Sequence, residues 1–314
     1  MGGKSLSSRS NRRLSGGPSK SSSKSAPQPT PSRKITVPEV GSRKAAGKLV
    51  MVTAYDVASA HIVDEAGVDL ILVGDSLGMV VLGQEDTLRV ELDDMVRHTA
   101  AVARARPRAL LVADMPYLTY HTGPRDAVVN AGRLVREGGA EAVKLEGGHK
   151  RVAVVQALVD AEIPVMGHLG LTPQSLHAMG GYRVQGRALE QIEALMADAR
   201  ALVDAGVFSL VLEGIPADVA TMITQSIPVP TIGIGAGAGC DGQVLVFHDL
   251  LGLHPGPAPR FVRRYADLSQ QAVEAVSRFV DDVRSGEFPA ARESYRLPRE
   301  VGEALRTRHQ RGAG

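Results

Sequence analysis

Three times along this chain a helix-ending glycine is followed by a short apolar run that stops at an acid. Gly67 leads to Asp75, Gly139 to Glu146 and Gly206 to Glu213. An unbroken aliphatic run such as Leu70-Ile-Leu-Val73 suits a strand buried on both faces. Such a strand has no room for a charge inside the sheet, so an acid at its last position must point out of the carboxyl end. In parallel α/β folds that end is where ligands bind. One acid at one strand end could simply cap a loop; the recurrence gives the pattern its weight. The three units are not identical copies, so they read as βα modules sharing one functional pole rather than as a solenoid.

The same alternation runs through the chain. Strands are expected at residues 49–56, 69–76, 109–115, 142–146, 164–169, 209–213, 230–234 and 244–247. Helices are expected at 57–66, 91–106, 124–138, 151–161, 188–206, 216–226 and 267–284. This order predicts an α/β fold, a (β/α)8 TIM barrel, with an open doubly wound sheet as the alternative. The step from the seventh strand to the eighth, through the glycine-rich turn 233–239, is too short for a full helix. Two connections, 77–90 and 170–187, are long enough to serve as lids or binding loops. The second carries Thr172, Gln174, His177, Tyr182 and Arg183.

Composition sets the outer bounds. The chain has 314 residues, 44% hydrophobic and 22% charged, which suits a globular protein with a large core. Its single cysteine, Cys240, excludes an internal disulfide and points to a reducing compartment, the cytoplasm. No apolar run approaches the ~18 residues of a membrane span. Eight of the 36 Lys and Arg fall in residues 1–34, which hold no acid; the rest of the chain carries 28 against 34 Asp and Glu. That arrangement predicts a mildly acidic body behind a disordered basic Ser/Pro/Gly-rich tail, with no basic face for nucleic acid. An acid-free, Ser- and Arg-rich start also fits a transit peptide, although it lacks an amphipathic helix. The domain plan is a tail at 1–34, a barrel with a C-terminal helix at 35–298, and a second tail at 299–314.

The polar residues at the expected strand ends are Asp75 and Ser76, Asp114, Lys144 and Glu146, His168, and Glu213. A closed barrel would gather them at one mouth. Lys144 and Glu146 are two apart and share a strand face. Asp75 and Asp114 come from adjacent strands, whose ends lie roughly 5 Å apart. Two carboxylates about 4 Å apart repel by about 4 kcal/mol at an effective dielectric near 20, so a shared proton or a cation must offset them. With Glu146 nearby, a divalent ion is the better reading, and oxygen ligands favour Mg²⁺, Mn²⁺ or Ca²⁺ over Zn²⁺. Any one acid could instead pair structurally with Lys144 or an arginine. Lys144 itself could bind an anion, form a Schiff base or partner Glu146. His168 could be a general acid–base group or a satisfied structural histidine. Glu213, across the barrel from Asp75, suits a base kept apart from the metal. The 233–239 run resembles a phosphate cradle, but no helix obviously follows it.

Several stretches together resemble the ketopantoate hydroxymethyltransferase family. They are Thr53-Ala-Tyr-Asp56, Val73-Gly-Asp-Ser-Leu-Gly-Met79, Asp114-Met-Pro116, Val143-Lys-Leu-Glu-Gly147, Gly167-His-Leu-Gly-Leu-Thr-Pro-Gln174, Thr231-Ile-Gly-Ile-Gly-Ala-Gly237 and Asp241-Gly-Gln-Val-Leu-Val246. They run collinearly across roughly residues 45–295. The resemblance implies a barrel of the phosphoenolpyruvate mutase/isocitrate lyase type. It also implies transfer of a hydroxymethyl group from 5,10-methylenetetrahydrofolate to 3-methyl-2-oxobutanoate, giving 2-dehydropantoate for pantothenate synthesis. Carried over by position, Asp75, Asp114 and Glu146 would be the metal acids, and Asp75, Ser76, Asp114 and Lys144 would hold the oxo acid. Glu213 would accept the proton, Mg²⁺ would be the ion, and the assembly would be a homodecamer. The competing readings are a related Mg²⁺-dependent lyase or mutase and a barrel that serves only as a scaffold. The lyase branch places a cysteine beside the acids, whereas Cys240 lies in the glycine turn.

Overall fold

Strand phase decides which side chains face the barrel axis, and it can be followed strand by strand. The strands are β1 (Leu49–Thr53), β2 (Leu70–Val73), β3 (Leu110–Asp114), β4 (Ala142–Glu146), β5 (Val165–Gly170), β6 (Ser209–Glu213), β7 (Thr231–Ile234) and β8 (Gly242–Leu245). A computed structural model describes residues 33–311, apart from 45, 254, 255, 257 and 258. The eight strands are all parallel and close in sequential order, with β1 hydrogen-bonded to β8. The open doubly wound alternative is thereby excluded.

Met51, Leu70, Leu72, Leu110, Val112, Ala142, Met166, Val211, Ile232 and Val244 form one buried cluster inside the barrel. Their strand neighbours Val52, Ile71, Leu111 and Val143 belong to a second cluster between sheet and helices. Because side chains alternate with period two, the position two residues beyond each interior residue also faces inward. Beyond Val112 that is Asp114; beyond Ala142, Lys144 and then Glu146; beyond Met166, His168; beyond Val211, Glu213. The apolar layers thus form a floor on which the polar residues stand. Leu110 is 2% exposed within that floor. Leu110→Ala is expected to lower the unfolding free energy by about 2–5 kcal/mol in urea titrations.

The other end of the barrel is plugged. Helix Val37–Ser42 sends fully buried Val40 into the interior cluster. Its entry is capped by Glu39, whose Oε2 accepts the Thr36 backbone N–H at 2.9 Å. Lys34, at the edge of the expected tail, is bound to the barrel: its Nζ donates to the carbonyl of Ala109 at 2.7 Å and lies 2.6 Å from Glu141 Oε2. Arg33 Nε lies 3.7 Å from Glu39 Oε1, and residues 1–32 of the expected basic tail lie outside the described residues.

Three expected strands shift. β2 ends at Val73 rather than 76, so Asp75 and Ser76 follow the strand instead of closing it. β1 ends at Thr53 rather than 56, because Asp56 leaves the sheet to cap helix Val57–Glu65, its Oδ1 accepting the Ser59 N–H at 2.7 Å. β8 spans Gly242–Leu245 rather than 244–247. Asp241, accepting from Thr231 N at 2.9 Å, fixes where it begins, and Phe247 opens a helix with its N–H bonded to Thr53 Oγ1. Both long loops contain short helical turns, at Leu77–Val80 and at Pro173–Ser175 with Leu176–Met179. Residues Arg299–Arg311, within the expected second tail, form a helix. No helix of the described residues is long and apolar enough to cross a membrane.

Candidate active site

All seven expected residues, Asp75, Ser76, Asp114, Lys144, Glu146, His168 and Glu213, line one cavity of 350 Å³ at the carboxyl ends of the strands. Asp75 and Ser76 follow β2 through Gly74, where the chain bends against β3. A side chain at 74 would put its Cβ 2.8 Å from Ser76 Oγ and 3.4 Å from Asp114 Oδ2, so it would push the Ser76 hydroxyl from its place. Asp75 donates its backbone N–H to Asp114 Oδ2 at 3.1 Å, and Lys144 Nζ sits 2.7 Å from Asp114 Oδ1. His168 bridges two acids, with Nδ1 3.4 Å from Glu146 Oε1 and Nε2 3.2 Å from Glu213 Oε2. Lys144 Nζ is 3.3 Å from His168 Nδ1. Ser76 Oγ shares a 2.9 Å hydrogen bond with the hydroxyl of buried Tyr55.

The electrostatics follow from burial. Asp75, Asp114, Lys144, Glu146 and His168 are each at most 5% exposed. Burial, then the fields of Asp114 and Glu146, raise the Asp75 carboxyl well above the usual carboxylate range. Burial raises Asp114 as well, against the opposing pull of Lys144. Burial alone would lower Lys144, but the fields of Asp114, Glu146 and Asp75 overcome it and keep the ammonium charged. His168 is lowered by burial and by Lys144, yet its bonds to Glu146 and Glu213 bring it up to about 9. Its two ring nitrogens reach Glu146 and Glu213 and so tie Glu213 to the cluster. The sequence leaves its role open; in the structure its ring lies between Glu146 and Glu213.

Four acids, Asp75, Asp114, Glu146 and Glu213, line this cavity with one lysine and one histidine. The donors are oxygens, which suits Mg²⁺, Mn²⁺ or Ca²⁺. Among the described residues, no three His, Cys, Asp or Glu side chains are gathered closely enough to cage an ion on their own. An ion here would complete its shell with water or substrate oxygens, as Mg²⁺ commonly does.

The surroundings settle smaller points. Tyr182, from the second long loop, lines the cavity, whereas His177 and Arg183 are not part of its wall. The glycine turn packs closely on its neighbours: a Cβ at Gly237 would meet that of Ala217 at 2.4 Å. Its backbone is thus committed to the helix Ala217–Ser226. Cys240 is buried and lies outside the cavity wall, so it is not placed as the lyase cysteine would be. Gln174 and Tyr120, to which no role was attached in the sequence, prove to be bonded to the acids. The one signal that could have drawn attention to Gln174 is its place in the Pro173-Gln174 turn directly after His168 and β5.

The closed parallel barrel is a fold this chain shares with solved enzymes of the phosphoenolpyruvate mutase/isocitrate lyase superfamily. A 2,3-dimethylmalate lyase of that superfamily superposes with a TM-score of 0.52 at 19% identity, over 89% of this chain and 99% of that one. A phosphonopyruvate hydrolase crystallised with oxalate and Mg²⁺ gives 0.53 at 14% identity, over 88% and 98%. Sequence similarity is more specific. The ketopantoate hydroxymethyltransferase family model matches residues 34–291. The 3-methyl-2-oxobutanoate hydroxymethyltransferase of Koribacter versatilis is 58% identical over 257 residues, 82% of this chain and 87% of that protein. The enzyme of that name from Moorella thermoacetica is 57% identical over 84% of this chain and 98% of its own length. This chain belongs to the ketopantoate hydroxymethyltransferase family.

Proposed function

We propose that this chain transfers a hydroxymethyl group from 5,10-methylenetetrahydrofolate to C3 of 3-methyl-2-oxobutanoate, giving 2-dehydropantoate and tetrahydrofolate in pantothenate synthesis. The observation that carries this reading is the division of one cavity. Asp75, Asp114, Glu146 and Lys144 stand together, and Glu213 stands beside them at the far end of His168.

Asp75, Asp114 and Glu146 would hold the divalent ion, taken as Mg²⁺. When bound, it polarises the ketone as a Lewis acid, a contribution of several kcal/mol. Lys144 and Ser76 receive the oxo acid's carboxylate, and Tyr55 fixes the Ser76 hydroxyl. The substrate is thereby held with C3 toward Glu213. Glu213, whose side chain is 15% exposed at the rim, accepts the C3 proton. The ring of His168, with Nε2 3.2 Å from Glu213 Oε2, keeps the Glu213 carboxylate aimed. C3 bonds to the one-carbon unit as its two bonds to the folate nitrogens break; water supplies the hydroxyl, and the nitrogens gain one proton from that water and the one taken from C3. Apolar Leu171 and the ring of Tyr182 cover the cavity from the second long loop and restrict solvent.

Self-association, as a homodecamer, is part of the proposal. Helix Leu268–Ser285 supports it by leaving Val273, Val276 and Phe279 more than half exposed and Val283 nearly so. A cytoplasmic location accords with the single reduced cysteine. The test is to incubate the protein with 3-methyl-2-oxobutanoate, methylenetetrahydrofolate and Mg²⁺ and to follow 2-dehydropantoate by mass spectrometry. Product should form, stop on addition of excess chelator and resume when Mg²⁺ is restored. Saturating substrates with Mg²⁺ and no product would overturn the assignment.

A further inference from the structure

We propose that Gln174 is a positioning residue of the ion site, a neutral clamp that holds Asp75 and Glu146 in fixed relation and fastens the start of the 171–187 loop to them. The inference rests on the reading of Asp75, Asp114 and Glu146 as the ion-holding acids.

Gln174 sits on the turn Pro173–Ser175 directly after β5 and is buried. Its side-chain Nε2 donates to Asp75 Oδ2 at 2.8 Å and to the carbonyl of Met115 at 3.0 Å. Its Oε1 accepts from the Tyr120 hydroxyl at 2.6 Å. Its backbone N–H donates to Glu146 Oε2 at 3.0 Å. A carbonyl can only accept, so Met115 determines which end of the amide is nitrogen. It follows that Asp75 receives a donation and that the Tyr120 hydroxyl proton points at Oε1. The Tyr120 oxygen is then free to accept the backbone N–H of Glu146, which lies 3.2 Å away. One residue thus reaches two carboxylates, and Tyr120 closes the ring of bonds.

The chemistry explains why this position carries an amide. A lysine or arginine here would orient the carboxylates equally well, but it would cancel the negative charge that a cation needs. A glutamate would set a further carboxylate against Asp75 and the Met115 carbonyl. A neutral donor holds one oxygen of Asp75 and one of Glu146 while leaving their charge in place. Partners of this kind commonly control metal affinity by 10–100-fold.

The probe is Mn²⁺, titrated into the full chain without either substrate and followed by the electron paramagnetic resonance signal of free and bound ion. Gln174→Met keeps the side-chain volume and removes its polar groups. It is expected to weaken Mn²⁺ binding by about 10–100-fold and to broaden the bound-ion spectrum. Tyr120→Phe removes one hydroxyl and leaves the ring. It is expected to weaken binding by about 3–10-fold, which keeps the test decisive if Gln174→Met does not fold. Circular dichroism melts report folding of each variant. If wild type binds Mn²⁺ and a folded variant binds it within twofold of wild type, the clamp is refuted and the ion site stands. If wild type binds no Mn²⁺, the underlying assignment of the acids fails as well.

Discussion

Glu213→Gln is expected to slow turnover by about 10²–10⁴-fold while the fold and the acid cluster persist. Glutamine has nearly the same shape, and its carbonyl oxygen can still accept from His168 Nε2, which lies 3.2 Å from Glu213 Oε2 in the native chain. What it lacks is the capacity to take a proton. The loss should therefore fall on kcat, with little change in the concentration of 3-methyl-2-oxobutanoate needed for half-saturation. Exchange of the C3 hydrogen for deuterium, measured by NMR in D₂O without folate, should slow by a similar factor. Exchange at the wild-type rate in a folded variant would remove Glu213 as the base.

Lys144→Met is expected to act on stability and on activity together. Lys144 is the only Lys or Arg of the described residues in the buried set, and its ammonium lies 2.7 Å from Asp114 Oδ1. Removing one partner of a buried ion pair typically costs about 3–5 kcal/mol, because the other charge stays behind without compensation. The Asp114 carboxyl, already raised by burial, would rise further without the Lys144 ammonium that opposes the shift. The oxo acid would also lose the cation that receives its carboxylate. Urea titrations should show the loss of stability, and calorimetric titration with 3-methyl-2-oxobutanoate should show no binding in the micromolar to millimolar range. Wild-type stability together with wild-type affinity would contradict both roles.

Much of this architecture is legible in the chain because burial leaves a periodic trace. Leu110-Leu-Val-Ala-Asp114 can only be a strand buried on both faces with its charge at the exit, and β3 is that strand. The same logic places Glu146 and Glu213 at the mouth before any coordinates are known. It fails where the signal is not periodic. The start of β8 depends on the Asp241 bonds to Thr231 across the turn, so the apolar run beyond it misleads by two residues. The His168–Glu213 pairing depends on strands β5 and β6 being neighbours in register, which alternation does not specify. Gln174 and Tyr120 come from connecting segments, and a neutral amide and a phenol leave no pattern of charge or hydropathy. Helix Leu268–Ser285 is readable as amphipathic, but an apolar face alone does not say what it meets.

The central claim is that a divalent ion and a carboxylate base cooperate on the oxo acid within one cavity. It is tested most directly by following the C3 hydrogen of 3-methyl-2-oxobutanoate by NMR in D₂O, with the protein, with and without Mg²⁺, and with no folate present. The signal should disappear at a protein-dependent rate with Mg²⁺ and persist in excess chelator. Equal exchange in both conditions, or none in either, would contradict it.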